Sequence, residues 1–430
     1  MTKSVSRTFF ATKSKIIVVI LLVYFLSQGR IKGHAMTMNS STNSISTEQK
    51  NLHPILLAPG PVQLHPEVQK ILALPMIHHR TPEFDSILKT VLTDLKHLFQ
   101  TEQPVFILSS TGSGGMEAVL INVLKPKAKV LAIVSGKFGE RWADMAQVFG
   151  ADVHRLNVPW GESVKPEQVS EFLKANPDTQ IVMTQACETS TATTHPIQEL
   201  SEIVSKTNAL FLVDAITALG AFPLPMDEWK IDGLVAGSQK AIMLPTGLSL
   251  VSFSQKAWNI IKDNPTPRYY FDLRKEKASN DKGETFFSSN VSLIRALGFV
   301  LNDIKSQGLQ HLFKTIHRRA EYTRQMASHL GLSIYSQSPS DSVTAYKLPA
   351  SLDGAKFREY LESQYKVTVM GGQDQLKGLI IRIGHMGYLT DHDLHETTLR
   401  IAQALYDFKQ NINTENVKVI SEQWLKTHDI

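Results

Sequence analysis

Two short segments, Phe211-Leu212-Val213-Asp214 and Gly237-Ser238-Gln239-Lys240, decide the fold class of this 430-residue chain. The first segment places an acid at the end of an apolar strand, and the second places a lysine after another apolar run, Gly233 to Ala236. In an open parallel sheet, both strands present their carboxyl ends at the edge where ligands bind. We therefore expect Asp214 and Lys240 to face one site.

A lysine and a carboxylate in one site are the two groups that pyridoxal phosphate requires. The lysine holds the aldehyde of this cofactor as a Schiff base, and the carboxylate keeps the ring nitrogen protonated so that the ring accepts electrons. Because strand-end acids and lysines are common, the pair alone is weak evidence and needs support from other motifs.

A turn rich in glycine, serine and threonine lies upstream, in Ile107 to Gly115, and a helical pattern follows from Met116 to Leu124. Its N–H groups, hydroxyls and helix dipole suit an anion such as phosphate, although an ordinary strand–helix turn is the structural alternative. The glycine spacing fits neither a P-loop nor a dinucleotide fingerprint. Glycines around Phe138 leave its ring free to lie against a flat ligand, or it is a core residue at a helix start.

Together these motifs resemble the class V aminotransferases of the pyridoxal-phosphate fold type I superfamily, and most closely the alanine–glyoxylate/serine–pyruvate aminotransferase group. The resemblance runs from Leu57 to about Phe408. Its landmarks occur in family order: Ala58-Pro59-Gly60-Pro61, His79-Arg80-Thr81-Pro82-Glu83-Phe84, Thr111-Gly112-Ser113, Glu188-Thr189-Ser190-Thr191, Val213-Asp214-Ala215, Gly237-Ser238-Gln239-Lys240 and Leu379-Ile380-Ile381-Arg382-Ile383-Gly384.

The resemblance implies a role for each matching residue. Lys240 is the Schiff-base lysine, Asp214 is the partner of the pyridine nitrogen, and Arg382 binds the α-carboxylate of the substrate. A rigid bidentate guanidinium suits that last role, for which a surface ion pair is the alternative. The other implied cofactor contacts are Phe138 and Ile216 on opposite ring faces, Ser190 at the phenolic oxygen, and Thr111, Gly112, Ser113, Gln239 and Ser288 at the phosphate.

The family also implies a homodimer, because the residue at the Ser288 position reaches the phosphate of the neighbouring subunit. A two-fold dimer is the commonest assembly as well. At the position where the family often has a second phosphate ligand, a tyrosine, this chain has Thr285. We expect Ser288 to contribute more than Thr285, and we expect no metal site.

The implied reaction moves an amino group from a small amino acid, such as serine or alanine, to a 2-oxo acid such as glyoxylate or pyruvate. It runs in ping-pong order through the Lys240 Schiff base. One alternative is a lyase or hydrolase that uses the same cofactor on the same fold. Another is a non-catalytic subunit of a redox complex, since some relatives carry the label of a soluble-hydrogenase small subunit. The sole cysteine, Cys187, excludes an intramolecular disulfide and argues against a cysteine desulfurase, but its role stays open.

Alternating strand and helix patterns predict an α/β fold, with a mostly parallel sheet, crossover helices and a smaller C-terminal α+β domain. The predicted strands are Val105–Leu108, Val130–Val134, Ile181–Met183, Leu210–Val213, Leu234–Ala236, Leu250–Phe253, Val343–Lys347, Val367–Val369 and Leu379–Ile383. The predicted units are a leader over 1–50, a large cofactor domain over 51–290, a small domain over 291–410 and a tail over 411–430. Residues 51–75 are expected to cross to the small domain or to a partner.

The first 47 residues carry six basic residues and no acid, so the net charge of +5 leaves −1 for the rest of the chain. A near-neutral body without a basic stripe gives no sign of nucleic-acid binding. Membrane contact is expected only through the apolar run Ile16–Leu26, which at 11 residues is short for a span and suits a signal-peptide core. A cytoplasmic enzyme is the expectation, with export, anchoring, organelle targeting or a later start at Met36 or Met38 left open.

Overall fold

Strands and helices alternate through residues 52–428, which are the residues that the computed structural model describes. The strands are β1 (Ile55–Leu56), β2 (Val105–Leu108), β3 (Lys129–Val134), β4 (Asp152–Asn157), β5 (Ile181–Gln185), β6 (Cys187–Glu188), β7 (Thr193–Thr194), β8 (Leu210–Asp214), β9 (Gly233–Gly237), β10 (Ser249–Phe253), β11 (Ser333–Ile334), β12 (Val343–Lys347), β13 (Val367–Thr368), β14 (Met370–Gly371) and β15 (Ile380–Gly384). The predicted leader, with its run 16–26, lies outside the described residues.

The α-helices of the described range connect and cover these strands. They are α1 (Pro66–Leu72), α2 (Pro82–Phe99), α3 (Gly112–Val123), α4 (Lys137–Val148), α5 (Pro166–Ala175), α6 (Ile197–Val204), α7 (Gln255–Ile261), α8 (Leu273–Asn280), α9 (Val291–Gln307), α10 (Leu309–His329), α11 (Gly354–Tyr365), α12 (Asp391–Asp407) and α13 (Thr414–Thr427). None of the helices in the described part is both long and apolar enough to cross a membrane.

A seven-stranded sheet, in the order β2-β10-β9-β8-β5-β3-β4, positions the site. Strand β10 runs antiparallel to β2 and β9, and the other neighbouring pairs in this sheet are parallel. The α/β fold with a mostly parallel sheet is thus confirmed. Strands β8 and β9 are direct neighbours, with Asp214 opposite Val235, so the acid and the turn that carries Lys240 lie at the same edge.

Successive residues of the central strands face opposite sides of the sheet, as the pleat requires. In β3, Leu131 and Ile133 lie in a core formed with α2 and α9, whereas Val130, Ala132 and Val134 lie in a second core formed with α3, α4 and α7. Burial of both sheet faces explains the continuous apolar runs of the central strands.

Strand β4 is absent from the sequence-based prediction because its sequence, Asp-Val-His-Arg-Leu-Asn, lacks an apolar run. It is the edge strand of the sheet and pairs only with β3. Its residues are half-buried or exposed, so the sequence there is free to stay polar. An edge strand with charged side chains also resists pairing with a foreign strand.

A four-stranded antiparallel sheet, β11-β12-β15-β14, organises the C-terminal part of the chain with its own apolar core. Strand β1 pairs in parallel with β13, so the N-terminal segment joins this part of the structure. Helix α13 lies in the stretch after 410, where the sequence predicted no element, and its Val417 and Trp424 are buried in that core. The boundary predicted at 290/291 stays a prediction.

Candidate active site

Lys240 follows β9 in a tight turn, and its side chain is held inside the protein. The lysine is 8% exposed. Its Nζ donates a hydrogen bond to the carbonyl oxygen of Pro59 over 2.8 Å. Burial lowers the pKa of Lys240 to about 8, with nearby Arg382 acting in the same direction. The neutral form of the amine, which acts as nucleophile and proton acceptor, is therefore far more abundant near physiological pH than it is for an exposed lysine.

Gly60 makes room for that lysine. It has φ +130°, a backbone conformation that favours glycine. A Cβ built at this position would lie 2.5 Å from the Cδ and 2.6 Å from the Nζ of Lys240. The landmark Ala58-Pro59-Gly60-Pro61 thus contributes both a carbonyl partner and an unobstructed path for the lysine.

Asp214 ends β8 and is 5% exposed. Its Oδ1 accepts a hydrogen bond from the backbone N–H of Ile216 over 2.9 Å. Burial raises the pKa of Asp214 to about 7, and the charge of Glu188 raises it further, while Lys240 and Arg141 act in the opposite direction. A cationic ring nitrogen beside this buried carboxyl group would favour its ionised form and pair with its charge.

The amino-terminal end of α3 lies against Ile216. A Cβ on Gly112 would lie 2.7 Å from the Cδ1 of Ile216, so glycine is needed for this contact. Thr111 stands at the N-cap without a side-chain cap bond, and Ser113 Oγ accepts a hydrogen bond from Arg141 Nη1 over 3.3 Å. The turn offers N–H groups, hydroxyls and one guanidinium to an anion.

Phe138 and Ser190 are linked through the buried carboxylate of Glu188. Its Oε2 accepts hydrogen bonds from the N–H groups of Phe138 and Gly139 over 3.1 and 2.9 Å. Its Oε1 accepts from the N–H and the hydroxyl of Ser190 over 3.1 and 2.5 Å. Arg141 lies 5.0 Å from the centre of the Phe138 ring.

Arg382 lies in β15 of the four-stranded sheet. Its Nη1 donates to the carbonyl of Thr189 over 2.9 Å and its Nε donates to that of Gly371 over 3.0 Å. The residue is 6% exposed, and burial lowers its pKa to about 10. It stays cationic at neutral pH, and a bound anion would pair with its buried positive charge. The surface ion-pair alternative therefore does not describe this residue.

Ser288 is the predicted site residue that the structure does not join to the others. It is exposed in the segment between α8 and α9. No hydrogen bond within residues 52–428 connects it to Lys240 or to the turn at Ser113. Thr285, three residues earlier, is buried and donates to the carbonyl of Phe287 over 2.7 Å, so its hydroxyl serves its own loop.

Cys187 packs beside the site as a neutral thiol. Ser342 Oγ donates to its Sγ over 3.4 Å. Burial raises the pKa of Cys187 to about 11, which leaves the thiol protonated and unreactive at neutral pH. The structure therefore shows a buried, neutral thiol at this position, whose role the sequence left open.

Some site residues were landmarks in the sequence but had no assigned role, and others gave no signal. The Pro59 carbonyl, Gly60 and Glu188 stand in landmark segments, so their order in the chain could have pointed to them. Arg141 follows Phe138 by three residues, one helical turn, which places it over the Phe138 ring. The Thr189 carbonyl carries no signature in sequence because it is a backbone atom.

A mostly parallel sheet with an acid ending one strand and a lysine following the next is typical of a pyridoxal-phosphate enzyme of fold type I. The family model described as Aminotransferase class-V matches residues 64–414. An uncharacterized aminotransferase of Methanocaldococcus jannaschii is 35% identical over 86% of this chain and 98% of that protein. The L-aspartate–glyoxylate aminotransferase of Paracoccus denitrificans is 35% identical over 79% of this chain and 87% of that protein.

Among solved structures, ureidoglycine–glyoxylate aminotransferase from Bacillus subtilis is similar with a TM-score of 0.83 and 26% identity, over 87% of this chain and 98% of that one. The chain belongs to the class-V aminotransferase family. It is a transaminase, and its cofactor is pyridoxal phosphate. The predicted class, activity and cofactor are confirmed.

The residues of the site fit this cofactor. The buried Oε1 of Gln239 has no hydrogen-bond partner within the described residues, although it stands next to Lys240. A Cβ on Gly237 would lie 2.9 Å from that same oxygen and 3.3 Å from the Cγ2 of Ile216, so glycine leaves the space between these two side chains free. A flat ring beside Ile216 and an anion at the start of α3 would meet complementary groups.

Proposed function

We propose that this protein transfers an amino group from a small amino acid to glyoxylate or a similar small 2-oxo acid, with Lys240 as the catalytic residue. The observation that carries the proposal is the buried trio of Lys240, Asp214 and Arg382. Their contacts supply one amine of lowered pKa, one acid aligned with it across adjacent strands, and one guanidinium that remains cationic.

When bound, pyridoxal phosphate supplies an electron-accepting ring that stabilises negative charge at the substrate Cα. The residues of the chain prepare the substrate for that chemistry. Arg382 binds its α-carboxylate and thereby fixes the direction of the Cα–H bond. Lys240, as a neutral amine, would remove the α-proton and hold it at its Nζ for return in the second half of the exchange. Asp214 holds a proton at the ring nitrogen through its carboxylate.

The cofactor contacts follow the same geometry. Phe138 and Ile216 would enclose the ring from opposite faces, and Ser190 would lie at its phenolic oxygen. The phosphate is bound by a set of hydroxyl, amide and backbone groups that the sequence proposed together: Thr111, Gly112, Ser113 and Gln239. Support comes from the start of α3, where Thr111 makes no side-chain cap bond, and from Arg141 at Ser113; Gln239 would donate through its side-chain amide N–H₂ group.

Glyoxylate is the proposed acceptor because two of the relatives described above are named for it. Their donors differ, being L-aspartate in one and ureidoglycine in the other. For this chain we propose serine or alanine as donor. Arg382 binds the α-carboxylate that all these amino acids share, so other residues of the site must distinguish the side chain of the donor.

The test is the visible absorption spectrum of the purified full chain with pyridoxal phosphate, before and after addition of L-alanine, L-serine or L-aspartate. A yellow protein that one amino acid bleaches and glyoxylate restores supports the proposal. Pyruvate serves as the competing acceptor. A yellow protein that no amino acid changes would contradict the proposed half-reaction, and restoration by pyruvate alone would contradict glyoxylate as acceptor.

We further propose that the enzyme is a homodimer in which Ser288 contributes to the partner's phosphate site. Exposed aromatic side chains near Ser288 support this, since Tyr269 is 72% and Tyr270 is 49% exposed, and Tyr270 stacks on Phe287 at 4.9 Å. Such a surface is typical of an interface. Sedimentation should give twice the chain mass, and Ser288→Ala should weaken cofactor binding without changing that mass. A monomer that binds the cofactor normally would contradict the proposal.

A further inference from the structure

Glu188 is the most completely bonded side chain of the site, although no role has been assigned to it so far. It is 0% exposed, and four donors converge on its two carboxylate oxygens. Two donors belong to the first turn of α4 and two belong to Ser190. One carboxylate therefore connects the helix start that carries Phe138 with the loop that carries Ser190.

The surroundings of Glu188 are shaped to admit it. A Cβ on Gly136 would lie 2.6 Å from the Cγ of Glu188, so the chain passes the carboxylate too closely for any side chain. Burial raises the pKa of Glu188, while the hydrogen bonds from Ser190, Gly139 and Phe138 act against that rise. Burying a carboxylate is costly unless donors satisfy it, and the start of a 12-residue helix is a place where they can.

The charge of Glu188 also reaches the reacting groups. It raises the pKa of Asp214, of Arg382 and of the adjacent Cys187. Lys240 and Arg141 are the other charged groups that act on Asp214. The site therefore contains two acidic residues, Asp214 and Glu188, and three basic residues: Lys240, Arg141 and Arg382.

We propose that Glu188 is a positioning residue for the cofactor site: its carboxylate keeps Ser190 and the first turn of α4 in a fixed relative position. This inference rests on the proposed roles of Phe138 and Ser190 in cofactor binding. It does not depend on which amino acid or oxo acid the enzyme uses, so its test can fail independently of the substrate assignment.

The first test is Glu188→Gln in the full chain. An amide offers one acceptor oxygen and turns an N–H₂ group toward the donors of Ser190, so two of the four bonds are lost. We expect the dissociation constant of pyridoxal phosphate to rise about tenfold or more. Because the variant also removes an acidic group that raises the pKa of Asp214, the pH midpoint of the visible band of the bound cofactor should move to lower pH.

Asp232→Asn is the matched control. Asp232 is also buried and accepts hydrogen bonds from a backbone N–H, that of Phe211, over 2.9 Å and from a hydroxyl, that of Ser254, over 2.6 Å. It precedes β9, at the opposite end of the sheet from Lys240. The control should lower thermal stability yet keep the wild-type cofactor affinity and pH midpoint. An equal change in both variants would overturn the proposal, as would Glu188→Gln with wild-type values.

Gly136→Ala tests the position of the Glu188 side chain without removing its carboxyl group. It also tests the proposal if Glu188→Gln fails to fold. The added methyl group displaces the carboxylate of Glu188 and the hydroxyl of Ser190 while both charges of the acids remain. We expect a several-fold weaker affinity for pyridoxal phosphate with a pH midpoint close to that of the wild type. Unchanged affinity in the folded variant would show that the position of Glu188 does not matter and would overturn the proposal.

Discussion

The amine of Lys240 donates a hydrogen bond to the carbonyl of Pro59 over 2.8 Å, across 181 positions of sequence. This contact ties the segment at the N-terminal end of the described range to the turn after β9. Because the carbonyl has no proton to give, it holds the amine without competing for its role as a base. The lysine is thus oriented before any substrate arrives.

Substitution of Gly60 tests how closely that orientation is controlled. We expect Gly60→Ala to lower both cofactor affinity and turnover by about tenfold or more, because its Cβ would lie 2.5 Å from Lys240 Cδ and because φ is +130°. The measurements are cofactor titration and steady-state transamination. Gly308→Ala is the matched control, since Gly308 also has positive φ, +87°, but nothing lies within 4 Å of its added Cβ. A loss of the same size in both variants would attribute the effect to backbone strain alone.

Removal of the amine is the direct test of the catalytic residue. Lys240→Ala should reduce transamination by roughly 100- to 10,000-fold or more, the usual contribution of a general base, and abolish the lysine-dependent visible band of the bound cofactor. Lys256→Ala is the control. Lys256 Nζ likewise donates to a backbone carbonyl, that of Ala209, over 2.5 Å, but it lies 3.5 Å from Asp232, at the start of β9 and not at the end that leads to Lys240. A Lys240→Ala protein that retains the band would refute the assignment of this residue.

Much of the fold could be predicted because the central strands carry continuous apolar runs. Strands β2 and β8, for example, begin at the residues that the sequence indicated, Val105 and Leu210. Strand β4 could not be predicted, since an edge strand needs little apolar surface. Helix α13 was missed for a related reason, because its few buried residues are widely spaced among polar ones.

The site could be predicted where a strand end fixes the side chain, as at Asp214 and after β9 at Lys240. What the sequence did not reveal are contacts between distant segments. The bonds from Phe138 and Gly139 to Glu188 span about 50 positions, and no local pattern records them. Ser288 stays a prediction because its proposed partner lies on another copy of the chain.

Arg382 provides the next test. Lysine keeps the positive charge but cannot form two parallel hydrogen bonds to a carboxylate. We expect Arg382→Lys to raise the KM for the amino acid by about 10- to 100-fold, with a smaller effect on kcat, as measured by steady-state kinetics. Arg400→Lys is the control, since Arg400 is also buried and donates to the carbonyls of His53 and Tyr365. An unchanged KM in Arg382→Lys would assign carboxylate binding to another residue.

Asp214 should make the cofactor-free enzyme less stable as pH rises. Its pKa is about 7 in the folded protein, above the ordinary value of 3.8 that applies when the chain is unfolded. The folded state therefore keeps a proton that the unfolded state releases, and stability is lost as pH increases from about 4 to about 7. Asp214→Asn removes this loss, since an amide oxygen can still accept from Ile216.

At pH 7.5 we expect the free energy of unfolding of the variant to exceed that of the wild type by roughly 2–4 kcal/mol, and its thermal unfolding midpoint to be higher accordingly. Near pH 4 we expect the two midpoints to be similar. Both proteins are measured without pyridoxal phosphate, because a cationic ring nitrogen would stabilise the carboxylate and reverse the comparison. Asp232→Asn should be less stable than wild type at both pH values, since it weakens bonds to Phe211 and Ser254. If Asp214→Asn shows no gain at pH 7.5, the pKa of Asp214 is not raised in the cofactor-free site, and the prediction is wrong.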